Sequence, residues 1–154
     1  MSDVVESDSV ESLMAVNVET VEPKRSLKHA LQKMVKRNIG SIVVVEGEKP
    51  VGIVTERDIS RYVAKRTNAL KTQVRNVMSS PLITIARSAT NQEAMAAMLK
   101  HGIRRLPVVE KGKLVGIVSQ RDLLRWVFRI TYEKEPHITA EIRAILERPP
   151  FSKT

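Results

Sequence analysis

The sequence predicts an α+β fold of two strand–helix–strand–strand–helix repeats, packed sheet to sheet about a pseudo-twofold axis. Three observations carry that expectation. Residues 13–63 align without a gap on residues 77–127, an offset of 64, and 18 of the 51 aligned pairs are identical. In each copy an amphipathic helical pattern precedes two short β-branched runs separated by a glycine-containing turn. Each copy then closes on the same stretch, Gly52-Ile53-Val54-Thr55-Glu56-Arg57-Asp58 and Gly116-Ile117-Val118-Ser119-Gln120-Arg121-Asp122. Two copies indicate a paired architecture rather than a solenoid, and one unit alone has too little core to stand by itself.

The elements follow in order. Residues 1–10 are polar and acidic, with little to bury, and are expected to be disordered. Residues 11–66 form the first repeat, 67–73 a polar linker, 74–131 the second repeat, and 132–154 an extension with one helix. Residues 10–14 and 74–78 are matching lead-ins whose Met14 and Met78 fill the core. Short strands are expected at 18–21 and 82–85. Leu27, Ala30, Leu31, Met34 and Val35 fall at helical spacing over 26–37; Ala94, Met95, Met98 and Leu99 repeat it over 91–101, with Thr90 as N-cap. Strands at 41–46 and 51–54, and again at 106–109 and 114–118, read as hairpins around Gly47 and Gly112. Closing helices cover 56–66 and 120–131. Past a break at Pro136, Ile138, Ile142 and Ile145 share one face of a last helix that Pro149-Pro150 ends.

Composition narrows the chemistry. There is no cysteine, which removes disulfides, thiolate nucleophiles and thiolate-bound metals. Residues 1–22 hold six acids and no bases, so the remaining 132 residues carry 26 bases against 11 acids. A body this basic favours anionic partners: nucleotide phosphates, nucleic acid or an acidic protein surface. The acidic start lacks the pattern of a signal peptide, and no apolar run has the length of a membrane span, so a soluble cytoplasmic protein is expected. His29, His101 and His137 have no metal-binding spacing, and no catalytic constellation appears, so no enzyme activity is expected. Nucleic-acid binding rests on charge alone, because Tyr62, Trp126, Phe128, Tyr132 and Phe151 make no stacking platform on a sheet.

The duplicated stretch is where a ligand is expected. A strand delivers the chain to a helix start, with Thr55 or Ser119 as N-cap and Asp58 or Asp122 three places on. Hydroxyl, backbone N–H groups and the positive end of the helix dipole suit a phosphate. The carboxylate suits the hydroxyls of a sugar. The same four-residue spacing is also an ordinary capping box, and both readings stand at this level. The copies differ at one telling place, where Arg104-Arg105 corresponds to Gly40-Ser41.

A Thr-containing strand, a helix, Ile103-Arg104-Arg105-Leu106-Pro107-Val108-Val109, a turn and Gly116-Ile117-Val118-Ser119-x-x-Asp122 together resemble the CBS domain, named after cystathionine β-synthase. Two in tandem resemble a Bateman module, over about residues 11–130. The resemblance implies two clefts between the halves that bind an adenine nucleotide (AMP, ADP or ATP), with S-adenosylmethionine or an NAD-like ligand as alternatives. It assigns phosphate and ribose contacts to Thr55 with Asp58 and to Ser119 with Asp122. It places the base against Thr20 and Val21, or Thr84 and Ile85, with Ile39, Ile53, Ile103 and Ile117 as walls. Arg104 and Arg105 match positions that reach phosphates, and Arg57 and Arg121 add charge nearby. Because the arginines occur in one copy only, the two sites are expected to be unequal. Also implied is a homodimer through the closing helices (Tyr62, Val63, Trp126, Val127, Ile130), signalling to a separate regulated protein. The chain also resembles the regulatory insert of inosine-monophosphate dehydrogenases, without that enzyme's barrel or nucleophilic cysteine. A structural subunit with vestigial sites is the remaining alternative.

Overall fold

A computed structural model describes residues 8–132 and 140–146. The elements run α1 (Val10–Leu13), β1 (Thr20–Val21), α2 (Leu27–Arg37), β2 (Ser41–Glu46), β3 (Lys49–Thr55) and α3 (Glu56–Val63). They continue with β4 (Ile85–Ala86), α4 (Asn91–His101), β5 (Arg105–Glu110), β6 (Lys113–Ser119), α5 (Gln120–Tyr132) and α6 (Ala140–Leu146). The strands form two three-stranded sheets, β1-β2-β3 and β4-β5-β6. In each sheet the outer short strand is parallel to the centre and the hairpin partner antiparallel, and the register slips at the same place, Val44/Val45 and Val108/Val109. The predicted α+β pair of repeats is therefore what the chain forms.

The hairpins show why the strands run two residues longer than their apolar cores. Glu46 pairs with Lys49 and Glu110 with Lys113, leaving two-residue loops. The second loop, Lys111-Gly112, has positive φ at both residues, as a type I′ turn requires, and Gly47 supplies the positive φ of the first. The outer strands, by contrast, begin later than the sequence suggested: β4 starts at Ile85, which leaves Leu82 and Ile83 outside the sheet. The first closing helix stops at Val63, and Arg66 lies over the Tyr62 ring, 4.1 Å from its centre. The linker carries a short 3-10 turn, Ala69–Lys71, with Ala69 buried. The expected last helix is present over α6; Ile138, the breaks at Pro136 and Pro149-Pro150, and residues 1–7 lie outside the described residues.

α2 begins on the Ser26 hydroxyl, which accepts from the His29 N–H, and ends at Asn38 in the left-handed region; α4 starts on a full Thr90/Glu93 capping box and ends at Gly102. There are two cores, and the lead-ins are exchanged between them. Val74 and Met78 pack with Leu27, Met34 and Val54 of the first repeat, whereas Val10 and Met14 pack with Leu106, Val118 and Leu123 of the second. Backbone pairs Ala15–Ile117 and Ile53–Ser79 fasten the exchange. The glycines of the duplicated stretch make room for it. A Cβ on Gly52 would stand 2.5 Å from the Met78 sulfur, and one on Gly116 would stand 2.6 Å from that of Met14.

Candidate functional site

Both corners form the capping box that the spacing allows. Asp58 Oδ2 accepts from the Thr55 N–H at 2.9 Å and from its hydroxyl at 2.8 Å, while Thr55 Oγ1 accepts from the Asp58 N–H at 3.2 Å. The second corner repeats this at Ser119 and Asp122 with 2.9, 2.7 and 3.2 Å. The helix starts are locked the same way too, since the Glu56 N–H donates to Gly40 O and the Gln120 N–H to Arg104 O. The structural and ligand readings of these residues are thus compatible. At Asp58 one carboxylate oxygen holds the cap, and the acceptor capacity of the other is what a sugar would use.

The surroundings separate the two corners. Asp58 is half-buried and lines a cleft of about 440 Å³, together with Thr55, Arg57 and Ile53. The opposite wall belongs to the other repeat: Leu82, Ile83, Ile103, Arg104 and Arg105. Asp122 is only 4% exposed, and the cleft beside Ser119, about 530 Å³, is lined by Ile39, Arg121 and again Arg104 and Arg105 without it. That second cleft extends over Met34 and Val35 of α2. At the position matching Ile83 stands Glu19, held by Lys33 at 3.0 Å and Arg37 at 3.2 Å.

Of the residues singled out in the sequence, Ile53, Thr55, Arg57, Asp58, Ile103, Arg104 and Arg105 come together in the first cleft. Ile39, Ser119 and Arg121 gather in the second. The remainder take other positions. Val21 is part of the first core, and Thr20 and Val21 border a separate groove with Arg25, His29 and Lys33. Thr84 is exposed, Ile85 packs on the second core, and Ile117 pairs with Ala15. The apolar wall comes from Leu82 and Ile83, two residues earlier than expected. Their signal was available, an apolar pair directly after Pro81, but a two-residue parallel strand has no periodicity from which its start can be read. Gly40 and Glu56 were also missed; both line both clefts.

Charge concentrates between the clefts. Arg105 is half-buried, and its guanidinium pKa is lowered first by burial, then by repulsion from Arg104 and Arg121, with Glu56 opposing. No group of three or more potential metal-binding His, Cys, Asp or Glu side chains occurs among the described residues. Nor is any helix among them long and apolar enough to cross a membrane.

Comparison with known proteins settles the family. The CBS domain model matches twice, at residues 10–65 and 74–129. The chain belongs to the CBS-domain family, as a tandem pair. It is 36% identical over 115 residues to the CBS domain-containing protein YhcV of Bacillus subtilis, covering 75% of this chain and 82% of that one. It is 38% identical over 114 residues to the inosine-5'-monophosphate dehydrogenase of Korarchaeum cryptofilum, covering 73% of this chain but 23% of that enzyme. Among solved structures it is similar to the CBS domain pair of protein MJ0100 in complex with methylthioadenosine and S-adenosyl-L-methionine. That likeness has a TM-score of 0.70 at 26% identity and covers 77% of this chain and 94% of the other.

Proposed function

We propose that this CBS pair is a non-catalytic cytoplasmic regulatory module that binds an adenine nucleotide in the Thr55/Asp58 cleft and passes that occupancy to a partner protein. The observation that carries the reading is the composition of this one cleft. It joins a sugar-binding carboxylate, a helix N-terminus and two arginines to an apolar slot between Ile53, Leu82, Ile83 and Ile103. A base needs burial and a phosphate needs cations, and one groove is lined by groups of both kinds. The adenosine moieties in the complex of the similar MJ0100 pair agree with this. The arginines favour AMP, ADP or ATP over an uncharged nucleoside. The second cleft is the weaker site, because its aspartate is buried and does not line it, and no counterpart of Ile83 does either.

Self-association through the closing helices is part of the proposal. Trp126 is buried within the single chain and Tyr62 packs on the first core, so these two serve the protomer itself. Val63, Leu124, Ile130 and Tyr132 are 40, 65, 56 and 44% exposed and are left for a second copy. Light scattering tests this directly, a monomer at all concentrations being the refuting result. The nucleotide reading is tested by calorimetric titration of AMP, ADP and ATP into the full chain. One site per chain supports it; no heat and no thermal stabilisation with any of the three refutes it.

A further inference from the structure

The two clefts share Gly40, Glu56, Arg104 and Arg105. Glu56 is the odd member of that set, a carboxylate beside two arginines suited to phosphate. Its place is defined by the bare backbone of Gly40: a Cβ there would be 3.3 Å from Arg105 Nη2 and 3.6 Å from Glu56 Oε2. Both charged groups therefore lie over one residue, no more than about 7 Å apart, a range at which an exposed Glu56 and a half-buried Arg105 still interact. The matching residue in the second repeat is Gln120, of the same shape and without charge. It too stands at the first position of a helix behind an identical cap.

We propose that Glu56 is a resident anion that occupies the attention of the arginines in the empty protein and sets how many phosphates the cleft accepts. The inference rests on the nucleotide reading above and specifies its selectivity. Without ligand, Arg104 and Arg121 repel Arg105, and Glu56 is a counter-charge that offsets this. A phosphate entering the cleft takes over that role and meets the repulsion of the same carboxylate. The repulsion grows with each added phosphate charge, so Glu56 penalises ATP more than AMP. It stabilises the vacant protein at the expense of the loaded one.

The test is Glu56→Gln in the full chain, titrated calorimetrically with adenosine, AMP, ADP and ATP at fixed ionic strength with chelator present. Expected are an unchanged adenosine affinity, about a threefold gain for AMP and about a tenfold gain for ATP, with ADP between. The ligand-free variant should melt below the wild type. Glu56→Ala, which removes charge and shape together, should give the same order of gains and guards against an effect of glutamine itself. Affinities that are flat, that fall, or that rise equally for adenosine overturn the inference while leaving nucleotide binding standing. A loss of ATP affinity with magnesium restored would assign Glu56 to a cation instead, and overturns it as well. If neither wild type nor variants bind any nucleotide, both readings fall.

Discussion

The Thr55/Asp58 and Ser119/Asp122 corners are the same object built twice, with hydrogen bonds that agree to about 0.1 Å. Their surroundings are not the same. One faces Leu82 and Ile83 and keeps its carboxylate accessible; the other has its carboxylate sealed, and its cleft is lined by neither Asp122 nor Glu19, the ion-paired residue that matches Ile83. The corner alone therefore does not define a cleft, because the opposite wall is supplied by the other repeat. The corner is alike in both copies, and what differs is the set of residues that faces it from the opposite repeat.

The largest effect should come from splitting the aspartates. Asp58→Ala is expected to weaken AMP binding by about 10- to 100-fold, whereas Asp122→Ala should leave it within about twofold. Both variants lose a cap carboxylate, at about 1 kcal/mol or more of stability, and the buried Asp122 should cost the more. Calorimetry and denaturant melts measure the two halves of this expectation; equal losses of affinity would erase the distinction between the clefts.

The glycines sharpen the same comparison at the level of packing. Gly116→Ala and Gly52→Ala each drive a methyl into a methionine, but the former also meets Ala15 O at 3.0 Å, where the backbone does not yield. Both should destabilise by about 1–3 kcal/mol, Gly116→Ala by the larger amount. Matching losses in a urea melt would mean that the two plugs are seated alike.

The smallest effect concerns α2 and α4, whose exposed faces differ in charge. Where α4 has Gln92, Glu93 and Ala97, α2 has Lys28, His29 and Lys33. The pKa of His29 is lowered by partial burial and then by Arg25 and Lys33. The unfolded chain thus binds the proton more readily, and the associated stability is present above about pH 6.5 and lost as pH falls below it toward the lower folded value. His29→Gln should flatten this modest slope in melts between pH 7 and pH 5; an unchanged slope would place its origin elsewhere.

Much of this was legible in the chain itself. The offset of 64, the amphipathic stripes of α2 and α4 and the capping boxes are local signals, and they gave the repeats and the corners. What stayed hidden was non-local. Asp58 shares a cleft with Ile103 and Arg105, more than forty residues away, and nothing in a single sequence says which half faces which. Thr20, Val21, Thr84 and Ile85 were placed at the base by resemblance to the family alone, and the first cleft is lined instead by Leu82 and Ile83. Burial of Asp122 depends on how α5 seats Leu123 and Trp126, which its pattern does not distinguish from α3.

The exchanged methionines carry one more consequence. Met78 is moored in the first core and Ile85 against the second, and the stretch between them, with Leu82 and Ile83, forms a side of the occupied-candidate groove. That stretch is a tether fixed at both ends. A molecule leaning on it loads both moorings together, so the repeats cannot register such a visitor independently of each other.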